Sequence, residues 1–506
     1  MDRYEKINLH CKGKVDTMEN EKSRRRGKRM KKKVWIIGGG ASGMMAAITA
    51  AKEGMDVTIA EHMDRVGKKI LSTGNGRCNL TNLHQDARCY RSSQPDFPGR
   101  VLKQFSVDET ISFFEDLGIV MKNRNGYLYP NSDQASSVLD VLRDEVERRK
   151  IRVFLNCQIR EIRKKKDGFQ IVTDQGVKEA DAVVLATGSK AAPVTGSDGS
   201  GYRLAESLGH SVISPLPALV QLRCAEKHYR QLSGIRTDAR VEIYSSAKNG
   251  LWNFEAEDRG EVQLTDYGIS GIPVFQVSRY AAVALHNKKN VKAVIDFFPQ
   301  LDMEETKTMM AERKRRLDGR SAEGFLTGML NKKLALALLK LSGIAAAEPV
   351  EAVDQKRFQR LIQVIKQYET VVIATNPYEN AQICCGGVDT RQIDPATMES
   401  KLVKGLYFAG EIVDVDGICG GYNLQWAWSS GYVAGRSCAA QHCKTEKKCS
   451  YTIRAVRIRR KIIRSIFKEV SGKYVKTGRA SDSTSRISTR SYGTRGKESS
   501  PLKWNT

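Results

Sequence analysis

The sequence VWIIGGGASGMMAAITAAKEGMDVTIAE, residues 34–61, decides the fold that we predict for this chain. The apolar run at 34–37 ends in glycines, as a buried parallel strand does. The residues that follow have one apolar helical face, and this helix ends at Gly54 before a second apolar run at 57–61. The order strand, helix, strand predicts a βαβ unit.

The same stretch has a second interpretation. Residues 34–51 carry no charge and follow a basic segment, which is also typical of a signal anchor. Four glycines and two hydroxyl side chains within this run favour the strand, turn and helix instead.

A glycine-rich turn joins the first strand to the helix. Residues 38–43 match the pattern G-x-G-x-x-G, and an acidic residue follows 23 positions after the first glycine. In this pattern the glycines permit a tight turn, close approach of a pyrophosphate and close helix packing, while the helix N-terminus attracts the phosphates. The acid accepts hydrogen bonds from ribose hydroxyls, and its charge repels a 2′-phosphate. The cofactor contacts predicted here are Gly38, Gly40, Ala41, Ser42, Gly43 and Glu61.

Two further strand ends carry the pattern of a cofactor site. Residues 405–411, GLYFAGE, are a short apolar run that ends in a glycine and an acid, and residues 184–188, VLATG, end a second run. Both resemble the fingerprints of glutathione-reductase-type flavoproteins, in which the acid after the glycine holds the ribitol hydroxyls of FAD. This resemblance favours FAD over NAD as the tightly held cofactor. It implies contacts at Thr187, Gly188, Gly410 and Glu411.

Two longer blocks narrow the resemblance to one family. Residues 72–82, STGNGRCNLTN, and residues 417–427, GICGGYNLQWA, resemble the bacterial and archaeal NAD(P)/FAD-dependent oxidoreductases of the BaiN/RdsA-like or aminoacetone oxidase-like family. The resemblance covers residues 30–440 and includes the block at 260–271. It implies a two-part FAD domain interrupted by a β-barrel-like domain, which itself carries a small helical domain. It implies further cofactor contacts at Lys69, Gly76, Arg77, Cys78, Asn79, Gly421, Tyr422 and Asn423.

Physical roles can be given to some of these residues. Arg77 would neutralise phosphate charge, with pairing to a local carboxylate as the alternative. The glycines at 420–421 lead into a helix predicted at 423–434, whose N-terminal amides would face the flavin and stabilise its anionic reduced form. The aromatic pair Trp426 and Trp428 is predicted to pack in the core.

The predicted fold is α/β, with a Rossmann-like FAD/NAD(P)-binding domain that is discontinuous in sequence. Short apolar runs separated by turn residues predict the β-rich insert, and a charged segment with helical periodicity follows it. The predicted boundaries are a basic leader at 1–33, the first part of the FAD-binding domain at 34–205, a β-barrel-like insert at 206–300, a helical insert at 301–345, a return through the insert at 346–385, the second part of the FAD-binding domain at 386–443 and a basic tail at 444–506.

The composition is that of a globular chain of several domains. Of its 506 residues 41% are hydrophobic and 28% are charged, and the mean hydropathy is −0.42. The net charge of +26 is concentrated in the two ends, because residues 1–33 carry +8 and residues 444–506 carry +14. These ends are candidates to bind nucleic acid or an anionic membrane. Eleven cysteines without a secretory segment predict reduced thiols in the cytoplasm, and seven scattered histidines indicate no metal site.

The leading prediction is an FAD-dependent oxidoreductase that transfers a hydride between the flavin and an organic substrate or NAD(P)H. One alternative is an NAD-only dehydrogenase, which the fingerprint at 405–411 disfavours. The other is a basic-tailed nucleic-acid or membrane-associated protein with a non-catalytic flavin. No predicted strand precedes the glycines at 196–201, so we predict no separate NAD(P) domain.

The substrate, the catalytic residues and the oligomeric state are not predicted. The resemblance spans steroid reduction of the bile-acid type and amine oxidation, and no residue chooses between them. Tyr127, Tyr129 and Tyr267 are candidates for the substrate side by position alone, with packing as the alternative for each.

Overall fold

The computed structural model describes residues 31–247 and 250–440, so most of the predicted leader and the whole predicted tail at 444–506 lie outside the described residues. The strands within this part are β1 (Lys33–Ile37), β2 (Asp56–Ala60), β3 (Thr81–Asn82), β4 (Tyr90–Arg91), β5 (Met121–Arg124), β6 (Tyr127–Pro130), β7 (Arg152–Phe154), β8 (Ile159–Lys165), β9 (Gly168–Thr173), β10 (Gly176–Ala180), β11 (Ala182–Leu185), β12 (Val212–Ala218), β13 (Leu222–Cys224), β14 (Arg236–Ser246), β15 (Asn253–Thr265), β16 (Gly268–Gly271), β17 (Asn290–Asp296), β18 (Tyr368–Thr375), β19 (Ile383–Val388), β20 (Leu406–Phe408) and β21 (Asp416–Gly417). The helices are α1 (Ala41–Lys52), α2 (Lys68–Ser72), α3 (Asp96–Leu102), α4 (Val107–Asp116), α5 (Ala135–Arg148), α6 (Ser200–Ser207), α7 (Tyr229–Leu232), α8 (Ile272–His286), α9 (Met303–Arg316), α10 (Ala322–Leu326), α11 (Lys332–Leu341), α12 (Gln355–Lys366) and α13 (Tyr422–Ala440).

Five parallel strands form the central sheet, in the order β20, β11, β1, β2, β7. The strand that ends in the glycine-rich turn, β1, lies at the centre because it pairs with β11 on one side and β2 on the other. Val34 and Ile36 of this strand are fully buried, as expected for a parallel sheet covered on both faces. β20 pairs with β11 although the barrel strands come between them in the sequence. The predicted Rossmann-like, discontinuous domain is therefore confirmed.

Residues 34–51 form most of β1, the glycine-rich turn and most of α1, as the favoured interpretation predicts. Among residues 31–247 and 250–440, no helix has both the length and the apolar character that crossing a bilayer requires.

Helix α13 packs directly on α1, and two glycines permit the close approach. A Cβ atom at Gly431 would lie 2.5 Å from the carbonyl oxygen of Ser42, and one at Gly435 would lie 2.4 Å from that of Ala46. Any side chain at these two positions would separate the helices. This contact joins the two ends of the described chain.

The two tryptophans of α13 are fully buried, in agreement with the sequence prediction. The indole N–H of Trp426 donates to the carbonyl oxygen of Gly410, and that of Trp428 donates to the carbonyl oxygen of Leu80, each at 3.0 Å. Because both polar atoms find partners, these rings add buried apolar area without leaving an unpaired donor. They fix α13 against the end of β20 and the start of β3.

A closed six-stranded barrel, in the order β13, β16, β15, β14, β17, β18, forms the second part of the architecture. Its neighbouring strands are all antiparallel. Helix α8 packs against strands of this barrel and buries Val274, Val277 and Ala281. The charged segment after β17 forms α9, α10 and α11, and α12 leads back to β18. The predicted barrel-like insert with a helical part is therefore present.

Helix α8 was not predicted from the sequence, which indicated only short strands between residues 212 and 300. The structure has a 15-residue helix at Ile272–His286. Pro273 stands in its first turn, where the fixed φ angle and the missing N–H suit a helix start. The helical pattern was hard to recognise because valines and alanines fill the buried face, and valine also suits a strand. Strands also precede and follow the helix closely in the sequence.

A buried ion pair joins α8 to the Rossmann-like domain. Nε of Arg279 lies 2.8 Å from Oδ2 of Asp416, and Nη2 of Arg279 donates to Oδ1 at 3.0 Å. The Asp416 side chain is only 2% exposed. This buried ion pair, with one hydrogen bond from Nη2, therefore holds α8 close to β21.

The buried His210 is expected to make the stability of the protein depend on pH. Its ring lies against Phe408 of β20, Nε2 bonds to Oγ of Ser400 at 2.8 Å, and burial lowers the pKa of His210 below its ordinary value of 6.5. Below pH 6.5 the unfolded chain takes up a proton that the folded chain resists. We therefore expect the free energy of unfolding to fall with decreasing pH, by at most about 1.4 kcal/mol per pH unit from this group.

Urea unfolding of the wild type and of His210→Gln at pH 7.5, 6.5 and 5.5 tests this expectation. The substitution removes the titrating ring, so the variant should lose less stability than the wild type between pH 6.5 and 5.5. Equal losses in both proteins would contradict it.

Candidate functional site

A cavity of about 760 Å³ lies at the carboxyl end of β1. Its wall includes the start of α1, the loop before α13, and Ile272 and Phe275 of α8. Its volume falls within the range of roughly 300–1,000 Å³ that is typical of ligand and cofactor sites. Doubly wound folds bind their ligands at this end of the sheet.

The glycines of the first turn have the geometry that their predicted roles require. Gly38 has φ +101°, and a Cβ there would lie 2.5 Å from the carbonyl oxygen of Ala186. A Cβ at Gly43 would lie 2.0 Å from the carbonyl oxygen of Gly38, so this glycine permits the close packing of α1 on β1. A Cβ at Gly40 would meet no atom within 4 Å. The open space over Gly40 belongs to the cavity, beside the N-terminal amides of α1.

The acidic residue after β2, Glu61, lines the cavity and also shapes the glycine turn. Its Oε2 accepts the N–H of Gly39 at 2.8 Å, and its Oε1 accepts the N–H of Met63 at 2.9 Å. A Cβ at Gly196 would lie 3.7 Å from Oε1. The glycine-rich segment at 196–201 therefore contributes to the wall of this same cavity, beside Glu61.

A second carboxylate, Glu411, lines the cavity beyond β20. Its Oε2 accepts a hydrogen bond from Nζ of Lys69 at 2.7 Å and another from Oγ of Ser189 at 2.9 Å. Both bonds use one oxygen, so among the described residues Oε1 remains for a ligand hydroxyl. Lys69 and Glu411 come from distant parts of the sequence, and the fold brings them into one ion pair.

The loop before α13 is fixed from both domains. Gly420 and Gly421 have φ angles of +118° and +95°. Nδ2 of Asn82 donates to the carbonyl oxygen of Gly420 at 3.0 Å, and Oε1 of Gln276 in α8 accepts the N–H of Cys419 at 2.8 Å. The first amides of α13, which have no partners within the helix, therefore lie at the cavity wall.

Two arginines flank an aromatic ring at the cavity wall. The guanidinium groups of Arg77 and Arg124 lie 5.6 Å and 5.5 Å from the centre of the Tyr129 ring. Arg124 also pairs with Asp133 at 2.8 Å. Within the described residues no carboxylate lies within ion-pair distance of Arg77, so the alternative interpretation of this residue as a local ion-pair partner is not supported.

Three buried polar side-chain atoms in the cavity wall find no hydrogen-bond partner among the described residues. They are Oδ1 of Asn79, Oγ1 of Thr187 and Oγ of Ser197. Buried polar groups are almost always paired in folded proteins. Three unpaired atoms around one cavity therefore fit a polar ligand that supplies the missing bonds.

The structure brings most of the predicted contact residues together. Those that line the cavity are Gly38, Gly40, Ala41, Ser42, Glu61, Lys69, Arg77, Asn79, Thr187, Gly188, Glu411, Gly421 and Asn423. Those that do not line it are Gly43, Gly76, Cys78, Gly410 and Tyr422.

Three of the predicted residues outside the wall have structural contacts instead. Burial raises the pKa of the Cys78 thiol to about 12, and its side chain is fully buried. The hydroxyl of Tyr422 donates to the carbonyl oxygen of His84 at 2.8 Å. The N–H of Gly410 donates to Oγ of Ser430 at 2.9 Å. These contacts explain why the motifs extend beyond the residues that face the cavity.

Several wall residues were missed by sequence reasoning. Gln158 directly precedes β8, and Leu219 directly follows β12. Phe275 and Gln276 belong to α8, which was not predicted. None lies in a glycine-rich fingerprint, so no local pattern marks them. In the described part of the chain every cysteine is free, and no cluster of His, Cys, Asp and Glu suits a metal ion.

A sequence model described as the HI0933-like protein Rossmann domain matches residues 32–437. The chain belongs to the HI0933-like family. This assignment agrees with the central parallel sheet and with the position of the cavity at its carboxyl end.

Curated relatives align with this HI0933-like chain over nearly the whole of their own length. The 3-dehydro-bile acid delta(4,6)-reductase of Clostridium scindens is 45% identical over 409 residues, which cover 80% of this chain and 99% of that protein. The ribosomal RNA dihydrouridine synthases of Haemophilus influenzae and Escherichia coli are 31% and 30% identical over 413 and 408 residues, which cover 80% of this chain and 98% and 97% of those proteins. The resemblance to the BaiN/RdsA-like family is confirmed. The prediction of an oxidoreductase is confirmed at the level of the HI0933-like family.

Proposed function

We propose that this protein is an FAD-dependent reductase of carbon–carbon double bonds conjugated to a carbonyl group, with NAD(P)H as the electron donor. The observation that carries this proposal is the cavity at the end of β1, with a carboxylate on each of two strand ends and three unpaired buried polar atoms in its wall. Its wall also holds the first residues of two helices, α1 and α13.

The wall residues fit the parts of FAD. Glu61 is placed to accept hydrogen bonds from the adenosine ribose, and the start of α1 with the open space over Gly40 suits the pyrophosphate. Glu411 would hold the ribitol hydroxyls through its remaining oxygen, while Lys69 keeps its side chain in place. Arg77 adds positive charge that would offset the phosphates.

Bound flavin would supply hydride transfer, which the side chains of the chain cannot perform. The N-terminal amides of α13, held by the loop at residues 417–421, would stabilise negative charge on the reduced ring. The residues of α8, among them Phe275, close the cavity on the barrel side and would exclude water from the reacting atoms.

The substrate class is supported by what the names of the relatives share. A delta(4,6) double-bond pair beside a 3-oxo group is a conjugated enone system, and formation of dihydrouridine saturates a double bond next to a carbonyl group. Both reactions add a hydride and a proton across an activated double bond. We propose that this chain also adds a hydride and a proton across an activated double bond, and the experiment below tests substrates of different size.

The electron donor is proposed to use the same cavity. The glycine-rich segment at 196–201 is part of the wall beside Glu61. The described residues form no second parallel sheet that could belong to a separate nucleotide-binding domain. A reduced pyridine nucleotide would then reach the flavin from the substrate side. This arrangement predicts that donor and substrate compete for one site.

Spectroscopy of the purified full-length protein tests the proposal. We expect a yellow protein with bound FAD that NADH or NADPH bleaches under anaerobic conditions. A 3-oxo-4-ene steroid should restore the absorption within the time of turnover, and a panel of uridine-containing ribosomal RNA and primary amines should separate the related substrate classes. A colourless preparation that takes up no added FAD would overturn the cofactor. Bleaching of the oxidised flavin by amines, with no reoxidation of the reduced flavin by the steroid or the RNA, would overturn the reductase.

The basic ends remain proposed contacts for partners. Net charges of +8 at residues 1–33 and +14 at residues 444–506 support binding to nucleic acid or to an anionic membrane. A chain that ends at residue 443 should keep its turnover on small enones and lose its affinity for RNA or for anionic vesicles in low salt. Unchanged affinity would place that binding in residues 1–443, the leader or the body of the protein, and would overturn the role proposed for the tail.

A further inference from the structure

The part of the cavity beside Gly420 holds two wall residues with a dissociable proton, Tyr127 and Cys419. A Cβ at Gly420 would lie 2.6 Å from Cε1 of Tyr127, so the aromatic ring lies against the turn that opens α13. Asn82, which is opposite Tyr127 in the β3–β6 pair, bonds to the carbonyl oxygen of the same glycine. The ring is therefore held beside the region where the flavin is proposed to bind.

The Tyr127 hydroxyl is available to a ligand. Among the described residues none forms a hydrogen bond with it, whereas four other hydroxyls of the wall, those of Ser42, Ser72, Thr73 and Thr195, donate to main-chain oxygens. The side chain is 41% exposed, so water also reaches it. A Phe in its place would keep the ring contacts and would remove no bond within the protein.

The surroundings of Tyr127 suit an acid that is neutral in its resting state. Burial, and then the neighbouring Cys419, Tyr129 and Asp258, raise the pKa of Tyr127 above its ordinary value of 10. Arg124 lies directly opposite Tyr127 in the β5–β6 pair, with its guanidinium paired to Asp133.

Cys419 is the competing acid. Burial raises the pKa of its thiol to about 12, and the residue is less exposed than Tyr127. A proton donor has to be recharged from water after each turnover. Tyr127 has that access, and Cys419 has less of it.

We infer that Tyr127 is the catalytic acid that protonates the α-carbon of the substrate, an inference that rests on the proposed function. Reduction of the conjugated double bond requires a hydride at the β-carbon, which bound flavin would supply at the expense of NAD(P)H. The electron pair of the double bond then forms an enolate on the substrate. The Oη–H bond of Tyr127 breaks as its proton bonds to the α-carbon, and the phenolate regains a proton from water. The substrate thus gains two hydrogens and two electrons, and NAD(P)H loses a hydride.

Half-reactions of the holoprotein test this role. Wild-type and Tyr127→Phe proteins are reduced with NAD(P)H without oxygen and then mixed either with a 3-oxo-4-ene steroid or with ferricyanide, which accepts electrons without protonation at carbon. We expect Tyr127→Phe to slow reoxidation by the steroid about 100-fold or more, as loss of a general acid does. Reoxidation by ferricyanide, and the calorimetric Kd of the steroid for the oxidised protein, should stay within about threefold of wild type.

Two further variants complete the test. Tyr267→Phe alters a tyrosine outside the cavity wall and should behave as wild type in every assay. If Cys419→Ala loses the steroid reaction while Tyr127→Phe keeps it, the thiol is the acid and the inference is overturned. Slower reaction of Tyr127→Phe with both acceptors, or weaker steroid binding that accounts for the loss, also overturns it. If wild type itself fails to reduce the steroid while ferricyanide reoxidises it, the proposed substrate class fails first.

Discussion

Gly40→Val is expected to abolish FAD binding and to leave the fold intact. Gly40 has φ −79° and ψ −168°, which other residues adopt readily, and a Cβ there meets no protein atom within 4 Å. The valine side chain would instead occupy the space proposed for the pyrophosphate. We expect affinity for FAD to fall at least about 100-fold, equivalent to about 2.8 kcal/mol, while the free energy of unfolding of the cofactor-free protein changes by less than about 1 kcal/mol.

Calorimetric titration of the cofactor-free proteins with FAD measures this effect. Gly99→Val is the matched control, because a Cβ at Gly99 also meets no atom within 4 Å but lies outside the cavity wall. The control should bind FAD as wild type does. Wild-type affinity in Gly40→Val would mean that the pyrophosphate lies elsewhere and that the proposed cofactor position is wrong.

Arg279→Met is expected to cause a large loss of stability. It would leave the carboxylate of Asp416, which is 2% exposed, without its charged partner. Breaking a buried pair in this way typically costs about 3–5 kcal/mol. We therefore expect a fall of about 3 kcal/mol in the free energy of unfolding.

The double variant Arg279→Met/Asp416→Leu should recover most of this loss, because no unpaired charge remains buried. Arg236→Met provides the surface comparison: the Arg236–Glu261 pair has a similar distance of 3.0 Å, but both side chains are more than 60% exposed. Loss of the Arg236–Glu261 pair should lower the free energy of unfolding by less than about 1 kcal/mol. Urea unfolding of the four proteins measures these differences, and equal effects of Arg279→Met and Arg236→Met would refute the role given to burial.

Much of the site could be predicted because each fingerprint combines backbone geometry with local sequence. Gly38 needs to be glycine for its φ of +101°, and Gly43 needs to be glycine because a Cβ there would lie 2.0 Å from the carbonyl oxygen of Gly38. The backbone of the turn itself therefore explains these two positions of the pattern at 38–43. The same holds for the strand ends that precede Glu61 and Glu411. Each motif therefore predicts the local backbone around it, and in the structure residues of all these motifs line one cavity.

The parts that could not be predicted depend on contacts between distant segments. The ion pair of Lys69 with Glu411 and the bond of Gln276 to Cys419 have no signature in either local sequence. Helix α8 was missed because its buried valines suit a strand as well as a helix, and packing against the barrel decides between them. The basic tail at 444–506 lies outside the described residues, so its predicted role stays a prediction.

The packing of α13 on α1 has a consequence for how the protein is made. Translation delivers α1 early and α13 last among the described helices, whereas all strands of the barrel emerge between them. On the ribosome the barrel can form first. The apolar face of α1 stays uncovered until α13, which contains Gly431 and Gly435, has been synthesised. We expect chains released before residue 420 to aggregate, because the helix that covers α1 and closes one side of the proposed flavin site has not yet been synthesised.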